Sequence, residues 1–87
     1  MRIKIHFIIK LSNSKIVERI KEEIRIKFDR NKYQVKICES SFKGETKTLA
    51  KEAILDKTDL IVACGGDGTI NEILNEIKER GLKIAIV

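Results

Sequence analysis

The sequence predicts a three-layer α/β fold with a parallel sheet, in the order β-α-β-α-β-α-β. Two observations lead to this fold class. Short apolar segments rich in β-branched residues alternate with longer segments in which apolar residues recur at helical spacing. Polar or glycine-containing loops separate the segments, and strand–helix alternation of this kind is typical of βαβ units in a Rossmann-like sheet. The predicted strands are residues 2–9, 33–38, 59–64 and 83–87.

The first strand sets apolar residues on alternate positions, Ile3, Ile5, Phe7 and Ile9. The single histidine, His6, falls on the opposite and more polar side, so we expect it at the surface. The loop at 10–14 follows with three candidates for a helix N-cap, namely Ser12, Asn13 and Ser14.

Helical spacing then predicts a helix over residues 15–30 and a second helix that opens over 44–53. Their inward stripes are Ile16, Val17, Ile20, Ile24 and Phe28 in the first helix, and Leu49, Ala50, Ala53 and Ile54 in the second. Between the helices, Tyr33, Val35 and Ile37 alternate with polar residues in a strand that runs to about Cys38.

The third helix follows the strand at 59–64 after a glycine-rich turn. Thr69 and Glu72 have the spacing of a capping box, which predicts Thr69 as the N-cap. We expect the helix to stop at Gly81, where a left-handed residue often ends a helix. Its apolar stripe is Ile70, Ile73, Leu74 and Ile77.

The turn holds three glycines in four positions, Gly65, Gly66 and Gly68, with Asp67 among them. Glycine lets a backbone approach a ligand closely, and the free N–H groups at a helix start favour anions, phosphate above all. A carboxylate beside a phosphate implies a cation, and Mg²⁺ commonly binds one or two carboxylates together with substrate phosphates. Glycines of this kind also form tight corners without any ligand, so both interpretations stay open at this point.

The predicted topology places the loops at 10–14, 40–44 and 65–69 at one edge, because all three follow strands of one parallel sheet. Ligands of such sheets bind outside the carboxyl ends of the strands. This is an independent reason to expect Ser40 near the glycine turn.

The composition indicates one small domain, with 87 residues, 43% hydrophobic residues and a formal net charge of +5. Lysines are spread along the chain without a block of like charge or interleaved aromatics, so we expect no nucleic-acid binding. Cys38 and Cys64 end apolar runs and read as core residues. With no signal-length apolar run and no stretch near the ~20 apolar residues of a membrane span, the predicted localisation is cytoplasmic, with peripheral contact at the inner face of a membrane left open.

The turn and the residues after it resemble a known family. Gly65-Gly66-Asp67-Gly68-Thr69 is similar to the GGDGT signature of lipid kinases of the diacylglycerol kinase and sphingosine kinase type. The continuation Ile70-Asn71-Glu72-Ile73-Leu74-Asn75 resembles the lipid kinase form. Gly44, Leu49, Ala50 and Ala53 match the family's second helix, and Ser40 stands where the family has a nucleotide-contacting Thr. The loop at 10–14 departs from the family's Asn-Pro-x-Ser-Gly.

This resemblance implies that residues 1–87 form the N-terminal, nucleotide-binding subdomain of a diacylglycerol kinase-like catalytic domain, incomplete relative to the family. The implied cofactors are ATP and Mg²⁺, and Asp67 is expected to act on the metal directly or through water. The family's general base and lipid-binding domain follow later, so no catalytic residue is expected in this chain and no turnover of a lipid by the chain alone. The implied nucleotide-binding residues are Ser40, Gly65, Gly66, Asp67, Gly68, Thr69, Ile70 and Asn71.

Two other interpretations stay open. The chain is also similar, through the GGDGT motif, to NAD kinases and phosphofructokinases, although Asn71 and Glu72 argue against them. The other alternative is a non-catalytic α/β module that binds an anionic membrane or a partner through its basic surface. Nothing in the sequence indicates an oligomeric state.

Overall fold

The computed structural model describes residues 2–41, 44–78 and 83–86, the last range as backbone alone, and it confirms the predicted α/β fold class. The predicted helix stop at Gly81 and the last predicted strand residue, Val87, lie outside the described residues. The elements in order are β1 (Ile3–Ile9), α1 (Ser14–Lys27), β2 (Tyr33–Glu39), α2 (Glu45–Leu55), β3 (Leu60–Cys64), α3 (Asp67–Ile77) and β4 (Lys83–Ile86).

The four strands form one parallel sheet in the order β2-β1-β3-β4. β1 pairs with β2 on one side and with β3 on the other, so that Ile5 lies beside both Val35 and Leu60. The pairing continues just past the strand ends, where the Ser40 N–H donates to the Ile9 carbonyl at 2.8 Å. On the other side, the Lys10 N–H donates to the Cys64 carbonyl at 2.8 Å. The loops after β1, β2 and β3 are therefore held side by side at one edge.

Two hydrophobic clusters, one on each face of the sheet, make the three layers. α1 covers one face, whereas α2 and α3 cover the other, with Ala50 and Ala53 allowing α2 to lie close to the strands. Ile16 and Leu74 were expected in the apolar stripes but lie on exposed parts of their helices. The first cluster contains Ile5, Phe7, Ile9, Val17, Ile24, Val62 and Cys64; the second contains Ile8, Ala50, Ala53, Ile61, Ala63, Ile73 and Ile77.

The surface position expected for His6 is wrong, because its side chain is 2% exposed. β1 lies inside the sheet with helices on both faces, and a strand covered on both faces has no solvent side. The His6 Nε2 lies 3.3 Å from a carboxylate oxygen of Asp56, at the end of α2. Neither ring nitrogen has a hydrogen-bond partner among the described residues.

α1 ends at Lys27, three residues before the predicted end, because Phe28 adopts an extended conformation. The Phe28 ring is thereby placed edge-on between Phe7 and Tyr33, with ring centroids 5.4 and 5.2 Å away. Edge-to-face contacts of this kind stabilise aromatic pairs beyond their buried area. Asp29 then closes the turn, since its carbonyl accepts from the Tyr33 N–H at 2.8 Å.

The starts of α1 and α2 use different residues. Asn13, one of the three cap candidates, is the N-cap of α1, and its side-chain oxygen accepts from the N–H groups of Lys15 and Ile16. α2 begins after Gly44, whose φ of 90° is a left-handed conformation that favours glycine. In the part of the chain that the structure describes, no helix has the length and apolar character needed to cross a membrane.

Candidate functional site

α3 begins at Asp67 with Gly66 as its N-cap, so the prediction of Thr69 as N-cap of a capping box is wrong. The first main-chain bond runs from the Ile70 N–H to the Gly66 carbonyl at 3.1 Å. Thr69 is already inside the helix and its side chain is buried under the turn, 3.0 Å from where a Cβ on Gly65 would lie. The Thr69 side chain therefore packs beneath the turn, and the N-terminus of α3 has no side-chain cap.

The three glycines of the turn differ in what surrounds them. A Cβ on Gly65 would lie 3.1 Å from the Lys10 carbonyl oxygen as well as 3.0 Å from the Thr69 side chain, so the fold itself requires a small residue here. A Cβ on Gly66 or Gly68 would meet no described atom within 4 Å. Neither of these two residues has a positive φ. Neither a close contact with described atoms nor a positive φ requires glycine at these two positions. Because glycine has no side chain, the space above the start of α3 stays open.

The start of α3 presents main-chain donors to that space. The N–H groups of Asp67, Gly68 and Thr69 have no hydrogen-bond partner among the described residues, and no side chain caps the helix. The N-terminus of an eleven-residue helix also carries partial positive charge from the aligned peptide dipoles. An accessible row of donors at the positive end of a helix is suited to bind an anion, and phosphate is the usual one.

Ser40 lies one strand away from the turn on the other side of β1, at the same edge of the sheet. Its hydroxyl oxygen accepts a hydrogen bond from the Thr46 hydroxyl at 3.1 Å. Thr46 is fully buried at the start of α2 and fixes the Ser40 side chain from behind. This role of Thr46 was not predicted from the sequence. The signal that could have indicated it is the pair of hydroxyl residues Ser40 and Thr46 on either side of Gly44, the N-cap of α2.

The remaining predicted residues lie on the first turns of α3. Asp67 and Asn71 are exposed, whereas Ile70 is half-buried and packs on the cluster under α2 and α3. Glu72 lies one helical turn after Gly68 on the same face. Its Oε2 atom is buried and has no hydrogen-bond partner among the described residues, although such an atom normally finds a donor or a cation.

The loop after β1 contributes backbone more than side chains. Its Asn13 oxygen is used by the α1 cap, at 3.0 Å from the Lys15 N–H, and is not available to a ligand. The Lys10 main chain supports the turn through its bond to Cys64.

Burial raises the pKa of the Cys64 thiol, and it also raises that of Cys38, so both free thiols stay protonated at neutral pH. Within residues 2–41, 44–78 and 83–86, no three His, Cys, Asp or Glu side chains form a metal-binding group.

Fold and turn together define a class: a parallel α/β domain in which a helix without a side-chain cap begins at the carboxyl edge of the sheet. The sequence profile of the diacylglycerol kinase catalytic domain matches residues 4–87. The chain belongs to this catalytic-domain family, as the resemblance of the glycine turn predicted.

Curated relatives named diacylglycerol kinase show the same similarity. The Bacillus subtilis (strain 168) protein is 38% identical over 64 residues, which cover 74% of this chain and 21% of that protein. The Staphylococcus haemolyticus protein is 32% identical over 69 residues, covering 79% of this chain and 21% of that protein. The Staphylococcus aureus (strain JH9) protein is 29% identical over 69 residues, covering 79% and 22%. The chain thus spans about a fifth of the length of the relatives it matches.

Proposed function

We propose that this chain is the ATP-binding portion of an ATP-dependent lipid kinase that phosphorylates a diacylglycerol-like hydroxyl. The start of α3 binds the phosphates of the nucleotide through the N–H groups of Asp67, Gly68 and Thr69. Ser40, oriented by Thr46, contacts the nucleotide from the neighbouring loop. Membership of the diacylglycerol kinase family supports the kinase chemistry, since the same family name is carried by the matched relatives.

The observation that carries the proposal is the pair Gly66 and Gly68. Glycine at these positions weakens the local fold through chain entropy, and neither a close contact with described atoms nor a positive φ requires it. A polyphosphate seated on the open N–H groups would need this space, because any side chain there would hold it away from the backbone. The arrangement supports phosphate binding more than it supports a plain corner.

The residues present also fit Mg²⁺. Asp67 is exposed at the head of α3, and Mg²⁺ often takes one protein carboxylate while water and phosphate oxygens complete its coordination. Asp67 would hold the ion directly or through water, and the ion would neutralise charge on the phosphates during transfer. Without a cation, the Asp67 carboxylate would repel the nucleotide.

Titration of the 87-residue chain with MgATP by isothermal calorimetry tests the proposal. We expect saturable binding that Gly66→Val weakens at least tenfold, since the valine side chain fills the space above the donors. Asn75→Val places the same side chain on the exposed side of the same helix and should bind as the unchanged chain does. Equal affinity in Gly66→Val, with the helical circular dichroism spectrum intact, would show that the turn is merely a corner.

Asp67→Asn separates the metal from the phosphate contact. With Mg²⁺ present, we expect weaker ATP binding because the ion loses its protein carboxylate. With EDTA present, we expect tighter ATP binding than in the unchanged chain, because a negative charge next to the phosphates is gone. A change of the same sign under both conditions would contradict a role of Asp67 through the metal.

Phosphorylation of the lipid belongs to the whole protein in this proposal. We expect the 87-residue chain alone to bind nucleotide without forming phosphorylated diacylglycerol. The measurement is transfer of labelled phosphate from ATP to diacylglycerol in mixed micelles, and clear turnover by the purified chain would refute this part.

A further inference from the structure

A second concavity lies at the opposite end of the sheet from the glycine turn. It has a volume of about 350 Å³ and opens between the end of α1 and the edge strand β2. Arg2 precedes β1 and Arg30 precedes β2, so both mark the amino edge of the sheet, whereas the glycine turn follows β3 at the carboxyl edge. This arginine pocket, as we call it, is lined by Arg2, Arg25, Arg30, Phe28, Tyr33, Val35 and three neighbours. It is separate from the proposed nucleotide site.

The floor of the arginine pocket is apolar. Tyr33 and Val35 are half-buried on β2, and Phe28 is half-buried where the chain leaves α1. β2 is an edge strand of the described sheet, and its apolar side chains Tyr33, Val35 and Ile37 are only partly buried. The volume lies within the range of small-molecule sites, which are usually lined by apolar and aromatic side chains with a few polar groups.

The positive charge around the pocket is poorly balanced. The Arg2 guanidinium donates to the Arg30 carbonyl at 3.4 Å, which brings the two residues together. Neither arginine forms an ion pair among the described residues, and the nearby Asp29 carboxylate accepts from the Asn31 N–H at 2.9 Å. Arg25 pairs with Glu22 at 3.1 Å, but both side chains are more than half exposed and such pairs are weak. Guanidinium groups without carboxylate partners favour phosphate or carboxylate ligands.

The charge and the apolar surface are arranged in sequence along the pocket. Arg2 and Arg30 lie at the amino end of β2, and apolar side chains of the same face follow along the strand at Tyr33, Val35 and Ile37. A head-to-tail polarity matches a molecule with one acidic head and one apolar chain.

We propose that the arginine pocket binds a small anionic amphiphile, a single-chain lipid acid. Its carboxylate or phosphate head is held by Arg2 and Arg30. Its apolar chain lies along Val35 and Ile37 beside the Phe28 ring. Because the pocket is remote from the glycine turn, this ligand and the nucleotide bind without sharing a residue.

The chain carries its own probe for this site. Tyr33 lines the pocket, is the only tyrosine, and the sequence has no tryptophan. Titration with laurate and with dodecyl phosphate, both below their micelle concentrations, should give a saturable change in tyrosine fluorescence. The tighter of the two identifies the head group. Inorganic phosphate and the neutral chain dodecanol should each bind at least tenfold more weakly, since each lacks half of the ligand.

Matched variants test the charge and the location. Arg2→Gln with Arg30→Gln should weaken binding of the better amphiphile at least tenfold. Arg19→Gln with Lys51→Gln removes the same charge from exposed helix positions and should change it less than twofold. Amide resonances of Tyr33, Val35 and Ile37 should shift on binding, while those of residues 65–71 should not. MgATP affinity should stay unchanged in both double variants, so this test is independent of the nucleotide proposal.

Three outcomes would overturn the inference. One is equal weakening by the two double variants, which would indicate unspecific attraction to a basic protein. Another is dodecanol binding as tightly as the acids, which would assign the site to apolar contact alone. The third is amide shifts outside the pocket with none at β2.

Discussion

The two edges of the sheet carry turns that are stabilised in opposite ways. At the amino edge, the turn between α2 and β3 is tied down by side chains: the buried Thr58 hydroxyl lies 3.2 Å from the Lys4 carbonyl and 3.0 Å from the Leu60 carbonyl. Asp59 accepts from the Lys4 N–H at 2.8 Å. At the carboxyl edge, the turn between β3 and α3 has main-chain bonds and buried packing, but no side chain satisfies the first N–H groups of α3.

The two turns differ in whether side chains pair the main-chain groups beside them. Buried main-chain groups are normally paired, and the α2–β3 turn pairs them through its own residues. The β3–α3 turn instead combines unpaired donors with open space at Gly66 and Gly68. A turn that served the fold alone would gain stability from a capping side chain such as Asn13 provides for α1. We call the edge with the α2–β3 turn the closed edge and the edge with the β3–α3 turn the open edge, and variants at the two should differ in stability.

The largest effect on stability is expected for Gly65→Ala, the one glycine of the open turn that the fold requires. The added Cβ would lie 3.0 Å from the Thr69 side chain and 3.1 Å from the Lys10 carbonyl, so the turn or the β1 loop must shift. Overpacking of this kind typically costs about 1–3 kcal/mol. Urea unfolding followed by circular dichroism measures it. A Gly65→Ala chain as stable as the unchanged one would show that the turn is looser than its contacts indicate.

At the closed edge, Thr58→Val should lower the free energy of unfolding by about 1 kcal/mol, the usual net contribution of one hydrogen bond. Valine keeps the shape of the buried threonine and removes the hydroxyl donor to Lys4 and Leu60. The same urea experiment applies, with Thr48→Val as a control at an exposed helix position. If both variants lose the same stability, the side-chain bonds do not distinguish this edge.

The closed edge should also respond to pH through His6. Burial lowers the His6 pKa, and Lys36 and Lys4 act in the same direction, whereas the Asp56 carboxylate opposes them. The folded state therefore prefers neutral His6, so its contribution to stability is present above pH 6.5 and is lost as the pH falls through the lowered pKa. The slope cannot exceed the limit of about 1.4 kcal/mol per pH unit for one proton.

Urea unfolding between pH 7.5 and 5 measures this slope, and His6→Gln, which has no titrating group, should flatten it. Asp56 adds no slope in that window. Although burial raises the Asp56 pKa, the hydrogen bond and charge of Lys4 lower it overall, so its contribution is lost on going below pH 3.8. An unchanged slope in His6→Gln would assign the pH response to another group.

Much of the fold could be predicted because its signals are local. Strand alternation, helical spacing and the glycine turn each occupy a few consecutive residues, and the predicted order and parallel sheet are confirmed. The burial of His6 could not be predicted, because alternation cannot reveal a second helix layer over the same strand. The capping-box pattern of Thr69 and Glu72 predicted that α3 begins after Thr69. In the structure the Thr69 side chain packs against Gly65 and does not cap the helix.

The site was predictable in location and less so in detail. The carboxyl-edge rule placed Ser40 and the glycine turn at one edge, which the topology confirms. The bond from Thr46 to Ser40 spans a loop and a helix start, so no local pattern indicated it. That Ser40 and residues 65–71 bind a nucleotide stays a prediction, and the calorimetric titration decides it.

The smallest change in stability is expected for Gly66→Ala, and it is the sharpest test of the contrast between the edges. Gly66 has a φ of −84° and a ψ of −177°, which alanine adopts without strain, and its Cβ would meet no described atom within 4 Å. Replacing glycine at a compatible position usually stabilises a protein by about 0.4–1 kcal/mol, because the unfolded chain loses freedom. Gly66 is also the N-cap of α3, where alanine is less favourable than glycine, so the two effects oppose each other. We therefore expect Gly66→Ala to unfold at about the same urea concentration as the unchanged chain, while Gly65→Ala unfolds earlier. This result would show that the stability of the fold depends on glycine at position 65 and not at position 66. Loss of stability in Gly66→Ala comparable to that in Gly65→Ala would mean that the fold needs both glycines. Glycine at position 66 would then no longer support the proposal that a ligand binds at this edge.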